Sequence, residues 1–170
     1  MTRIAIVDDE IHYSRIYERT LSADGFSVER FSSVAKAKSA FETKEYDFLI
    51  IDLMMPANPE LDPEENDLLT GAYLSKSVES KNSKSKIVLF SVVHSGRVKE
   101  RAKEILGPNS KVTFLDKKRY SPEDLSKFIQ DQISGQATVG IVRRIWHALV
   151  LQPNFFGVGM DVRKLFSKRE

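Results

Sequence analysis

Cysteine is absent from all 170 residues. That excludes a disulfide framework, a thiolate metal site and a cysteine nucleophile, and it fits a reducing, cytoplasmic setting. No stretch approaches the roughly 20 apolar residues of a membrane-spanning helix. Met1-Thr2-Arg3-Ile4 enters a strand pattern at once, without the layout of a secretory signal, so no membrane partner is expected. Charge of one sign is also lacking: 26 Lys and Arg against 24 Asp and Glu leave a net +2, too little to make nucleic acid the expected partner. Internal repeats and low-complexity tracts are missing too. What is present, 41% hydrophobic and 29% charged residues, suffices for a packed core. The length predicts one domain with an appendage.

The chain is organised around Phe48-Leu49-Ile50-Ile51-Asp52-Leu53-Met54-Met55-Pro56. Apolar residues run straight into a carboxylate, and a proline stops the second apolar stretch beyond it; a continuous apolar run bounded this way predicts a strand buried on both faces, as in parallel sheets. Asp52 falls at its carboxyl end, the edge where open α/β sheets collect ligands. The same grammar recurs along the chain. Arg3–Val7 predicts a strand that runs into Asp8-Asp9-Glu10. A helix is expected from about Ile11 to Ala23, with Ile11, Tyr13 or Ser14, Tyr17 and Leu21 near one face. After the Asp24-Gly25 turn, Phe26–Phe31 alternates as a half-buried strand. Ser32-Ser33 can cap a helix over 34–43. Past Pro56, a polar stretch from Ala57 to Asp67 predicts a long loop at the Asp52 edge, followed by a helix over 68–81. Lys86–Ser91 is a fourth strand, and a helix runs from about Arg97 to Leu106. Val112–Leu115 is a fifth strand. Ser121-Pro122-Glu123-Asp124 is a helix start, with a Ser cap and Pro at the first helical position. Strands that alternate with helices predict an α/β fold: a doubly wound, five-stranded parallel sheet.

Four polar features then share one sheet edge: Asp8-Asp9, Asp52, Ser91 and Lys117. Clustered carboxylates repel one another unless a cation sits among them, and a hard cation with oxygen ligands, Mg²⁺, suits them. A carboxylate beside Mg²⁺, an ammonium and a hydroxyl can accept a phosphoryl group, whose transferred charge spreads over three oxygens that these groups neutralise.

These motifs, Ile-Val-Asp8-Asp9-Glu, Ile-Asp52-Leu-Met-Met-Pro56, Leu-Phe-Ser91, Phe114-Leu-Asp-Lys117 and Ser121-Pro-Glu-Asp-Leu, resemble the receiver domain of two-component response regulators over about residues 3–133. The resemblance implies a flavodoxin-like, CheY-like fold and a role in a phosphorelay. Asp52 would be the phospho-acceptor, charged by a histidine kinase or phosphotransfer protein. Asp8 and Asp9, with Asp52 and the backbone carbonyl of Met54, would hold Mg²⁺. Ser91 would be the switch hydroxyl, Lys117 the phosphoryl-pairing lysine and Phe114 the switch aromatic. Phosphotransfer of this kind is self-assisted, so the domain is read as a signalling module and not an enzyme. A hydrolase of the haloacid-dehalogenase type also sets an Asp at a strand end, but needs a second Asp two residues on, where this chain has Met54.

Three departures from the family pattern stand out. Lys118 replaces the usual proline after the site lysine, which leaves a cis bond there in question and makes Lys118 the alternative if the register slips by one. Val92 replaces a smaller residue. Met54 and Val93, two past the acceptor and two past the switch, are apolar and cannot orient an attacking water, so a long-lived phospho-Asp52 is expected.

Residues 134–170 form a C-terminal extension, expected to be a helix with a basic tail. It is shorter than the roughly 60 residues of a DNA-binding output domain. Val139 to Leu151 is strongly apolar and needs burial: against the receiver, in a homodimer through residues 121–160, or against an output protein. His147 is expected to be structural. Two other readings stay open, a dimer whose basic tail binds DNA and an unphosphorylated receiver scaffold.

Overall fold

The structure, a computed structural model, describes residues 1–56, 68–81, 84–92 and 96–135. The expectations for the 57–67 loop, for Val93 and for the extension beyond Gly135, including His147, lie outside the described residues.

Strands and helices alternate: β1 (Arg3–Val7), α1 (Ile11–Ala23), β2 (Ser27–Phe31), α2 (Val34–Thr43), β3 (Phe48–Ile51), α3 (Thr70–Lys81), β4 (Lys86–Ser91), α4 (Gly96–Leu106), β5 (Thr113–Asp116) and α5 (Pro122–Ile133). All five strands pair parallel, in the order β2-β1-β3-β4-β5. The apolar runs explain the middle of this sheet. Ala5 and Val7 of β1, Leu49 and Ile51 of β3, and Ile87 and Leu89 of β4 enter one core with Val34, Ala37, Ala72, Leu74, Ala102 and Ile105 from α2, α3 and α4. The alternate residues Ile4, Ile6, Phe48, Ile50, Val88 and Phe90 are buried too, and Phe90 meets Tyr17 of α1 edge to face at 5.1 Å. A strand buried on both faces must be apolar throughout, as these are.

Local chemistry sets the helix starts. Ser33 accepts from the Lys36 amide at 3.4 Å and caps α2. At α5, Ser121 Oγ accepts from the Asp124 amide and Asp124 Oδ2 accepts from the Ser121 amide, both at 3.1 Å, a reciprocal capping box.

Three expectations are corrected. β2 does not alternate: four of its five residues are half-buried, because it is the edge strand. The inward face of α1 is Ser14, Tyr17 and Leu21 as expected, Ser14 being the one of the Tyr13–Ser14 pair that turns inward, but Ile11 is exposed and not part of it. α3 begins at Thr70 and not Leu68, because Leu69 still bridges Met55 in extended form. The chain divides into two compact units, Met1–Phe128 and Ile129–Glu170. Of the second, the described part is the end of α5 and the turn after it. Among the described residues no helix is long and apolar enough to cross a membrane.

Candidate functional site

The strand order reverses at β1: the chain runs from it to β2 on one side and to β3 on the other. Such a switch point opens a crevice at the carboxyl ends of the two central strands. Asp8 follows β1 and Asp52 follows β3. Each is pinned by its own amide, Asp8 to the Phe31 carbonyl at 2.9 Å and Asp52 to the Val7 carbonyl at 2.8 Å. The backbone also orients both carboxylates. Asp8 Oδ1 accepts from the Glu10 amide at 2.8 Å, and Asp52 Oδ1 accepts from the Met54 amide at 3.2 Å.

Their other oxygens share one ammonium. Lys117 Nζ donates to Asp8 Oδ2 at 2.8 Å and to Asp52 Oδ2 at 2.5 Å. The three side chains keep only 7%, 5% and 8% of their surface, in the order Lys117, Asp8, Asp52. The Lys117 amide donates to the Ser91 carbonyl at 3.2 Å, which ties the end of β5 to the end of β4. Lys118 is exposed, so the geometry selects Lys117 from the two adjacent lysines. No cis peptide occurs among the described residues, and the Lys117–Lys118 bond is trans.

A cavity of about 220 Å³ lies over this group, lined by Asp9, Glu10, Asp52, Met54, Ser91, Val92 and Lys117. Ser91 is buried. Phe114 is half-buried, paired in register with Leu89 and packed against the core below. The carboxylate oxygens that converge are those of Asp8, Glu10 and Asp52, within 4.8 Å of one another. Asp9 lines the cavity without joining that cluster.

The electrostatics follow from burial. Burial raises the Asp8 pKa above the ordinary aspartate value. The attraction of Lys117 and its hydrogen bond oppose this, and the charge of Asp52 adds to it. For Lys117 burial disfavours the charge, but the two carboxylates outweigh it and hold its pKa above the ordinary lysine value. Two carboxylates and one ammonium leave the buried cluster with an excess of negative charge. Hard oxygen donors gathered this closely fit a Mg²⁺ ion, which keeps several of its waters.

Two residues of the site go unassigned in the sequence. Glu10 is legible there only as the third acid of a run. Gly71 carries no polar group at all. A Cβ placed on it would lie 1.8 Å from the Asp52 backbone oxygen, so α3 can approach the end of β3 only through a glycine. Its amide donates to the Leu53 carbonyl at 3.2 Å.

Comparison with known proteins agrees with this geometry. The response regulator receiver domain family matches residues 4–130. Among solved structures, a CheY-like receiver domain protein from Methanospirillum hungatei JF-1 aligns at 18% identity and TM-score 0.60, covering 80% of this chain and 96% of its own. The chemotaxis response regulator CheY4 of Vibrio cholerae aligns at 24% identity and TM-score 0.59, covering 76% and 97%. The response regulator TrrA of Thermotoga maritima, solved in complex with Mg²⁺-BeF, aligns at 18% identity and TM-score 0.56, covering 77% and 98%. No curated protein matches. The likeness to solved structures carries the fold, the match over most of the chain carries the family, and the chain belongs to the response regulator receiver domain family.

Proposed function

We propose that Asp52 accepts a phosphoryl group from the phosphohistidine of a histidine kinase or phosphotransfer protein, and that the phosphorylated domain signals through protein–protein contact. The observation that carries this is the single ammonium of Lys117 held between Asp8 and Asp52 beneath a cavity that Ser91 also lines. In the transfer, a nitrogen–phosphorus bond of the donor breaks and an oxygen–phosphorus bond to Asp52 forms. The electron pair returns to the imidazole, which takes up a proton. Lys117 leaves Asp52 Oδ2 for a phosphoryl oxygen, so its charge keeps a partner as the negative charge moves outward. Ser91 donates its hydroxyl to a second phosphoryl oxygen, and Phe114, one strand over, follows that movement inward.

Asp8 and Asp52, with Asp9 or Glu10 and the carbonyl of Met54, would hold Mg²⁺. When bound, that ion neutralises charge on the transferred oxygens. The Thermotoga maritima protein of the same fold was solved in complex with Mg²⁺-BeF, which supports a Mg²⁺ site in this fold. Met54 lines the cavity with an apolar side chain and cannot orient an attacking water. The phosphoryl group is therefore expected to persist, and a half-life of seconds in purified protein would refute that.

The test is intact mass after incubation with acetyl phosphate and Mg²⁺, on wild type and Asp52→Ala, with size-exclusion elution before and after. Gain of one phosphoryl group, lost in Asp52→Ala, supports the acceptor. No gain from acetyl phosphate or from any phosphohistidine donor sinks it and leaves an unphosphorylated scaffold. A shift in elution on phosphorylation would make the tail an output device and support a homodimer, for which residues 121–160 are the proposed surface. Salt-dependent retention on duplex DNA would instead favour the basic tail as a nucleic-acid contact.

A further inference from the structure

A second and larger cavity, about 430 Å³, lies at the opposite end of β3 from Asp52, between α2 and α3. Its apolar walls are Phe41 of α2, Tyr46 just before β3, Leu49 of β3, and Val78 of α3. Tyr46 is fixed on three sides. Its hydroxyl donates to Glu29 at 2.6 Å, its carbonyl accepts from Ser85 Oγ at 2.7 Å, and its ring meets Phe41 edge to face at 5.5 Å. The wall is therefore preformed, and the volume lies within the roughly 300–1,000 Å³ of small-molecule sites.

The polar lining is mainly cationic. Lys38, Lys44 and Lys81 face a single acid, Glu42. Lys44 is paired with Glu29 at 2.7 Å. Lys38 on α2 and Lys81 in the last turn of α3 have no ion pair with a described residue, and they approach from the two helices that flank the opening. The strongly apolar segment elsewhere in the sequence, Val139 to Leu151, carries Arg143 and Arg144, and like charge would oppose its entry.

We propose that this cavity is a ligand site for a small organic carboxylate, its apolar body against Phe41, Tyr46, Leu49 and Val78 and its carboxylate between Lys38 and Lys81. Apolar contact supplies affinity in such a site, and the two ammonium groups fix orientation and select the sign of charge. The site is separate from the acidic cluster and does not depend on phosphorylation.

The experiment is a titration of the full chain with octanoate and, separately, octylammonium, followed by amide shifts in ¹H–¹⁵N spectra. Octanoate should give saturable shifts centred on Tyr46, Ser77, Val78 and Lys81, and bind about tenfold more tightly than octylammonium. Lys38→Glu with Lys81→Glu should invert that preference. Ser77→Phe, on the half-buried lining of α3, should abolish binding of both by filling the space, while leaving phosphorylation by acetyl phosphate unchanged. Equal affinity for the two headgroups would overturn the proposal. So would shifts that map to the exposed apolar residues of α1, or the absence of any saturable shift.

Discussion

Gly71→Ala is the sharpest perturbation available, because one methyl group meets a fixed backbone. The added Cβ would sit 1.8 Å from the Asp52 oxygen, 2.8 Å from the Asp52 carbonyl carbon and 2.9 Å from the Leu53 Cα. Real Cβ contacts do not fall below 3.0 Å, so the start of α3 and the end of β3 must part by at least about 1.2 Å. Neither side yields easily. The Thr70 hydroxyl donates to the Met55 carbonyl at 3.1 Å, and Ala72 and Leu74 are buried in the core immediately after. Overpacking of this kind costs about 1–3 kcal/mol, and the loss should appear in urea unfolding. The moved atoms belong to Asp52, the proposed acceptor. A displacement of about 1 Å at a reacting group lowers rates by up to about 100-fold, so phosphorylation by acetyl phosphate should slow by ten- to 100-fold. Gly96→Ala is the control, since nothing described lies within 4 Å of its Cβ position, and it should leave the rate unchanged. A Gly71→Ala protein within about 0.5 kcal/mol of wild type, at the wild-type rate, would refute the reasoning.

Lys117→Met strips two buried carboxylates of their shared counter-charge. Metal-free stability should fall by about 3 kcal/mol, while Mg²⁺ binds more tightly because no ammonium competes for Asp52; unfolding with and without Mg²⁺ reads both. Asp8→Asn should stabilise the metal-free protein at neutral pH. The raised Asp8 pKa means that its ionised form opposes folding, a penalty fully present above its folded pKa and absent below its ordinary value of 3.8. The gain should therefore shrink as the unfolding assay is taken to acid pH, and a gain that grows with acidity would contradict the sign. Tyr17→Phe removes a hydroxyl that donates to the Tyr120 carbonyl at 3.0 Å but keeps the ring against Phe90. It should cost about 1 kcal/mol with no effect on phosphorylation.

Most of the fold is legible in the sequence because β1, β3 and β4 are apolar on both faces and each ends in a polar group. Apolar runs of four to six residues cannot be helices of useful length, and their ends are where the chain must turn. The site is legible for the same reason, since parallel strands put their carboxyl ends on one edge and the reactive residue types stand out there. β2 is harder: its edge position leaves Ser27, Val28, Glu29 and Arg30 all half-buried, so no two-residue alternation survives. The exposed Ile11 and Tyr13 mislead periodicity at α1, where apolar residues of the first turn stay outside the core. Gly71 leaves no chemical trace, because its contribution is an absent side chain. Only the approach of α3 to Asp52 reveals it.

That approach also explains how the site accommodates the stretch between Pro56 and Leu68. On either side of residues 57–67 the chain is fastened at adjacent points: Met55 bridges Leu69, Thr70 donates to Met55, and Gly71 donates to Leu53. The ends of the excursion are thus held together by their own contacts, whatever lies between. The position of Asp52 is set by Val7 on one side and Gly71 on the other. An insertion that parted Leu69 from Met55 would release the start of α3 from the end of β3. The contacts that keep Asp52 in place are therefore those between 53–55 and 69–71.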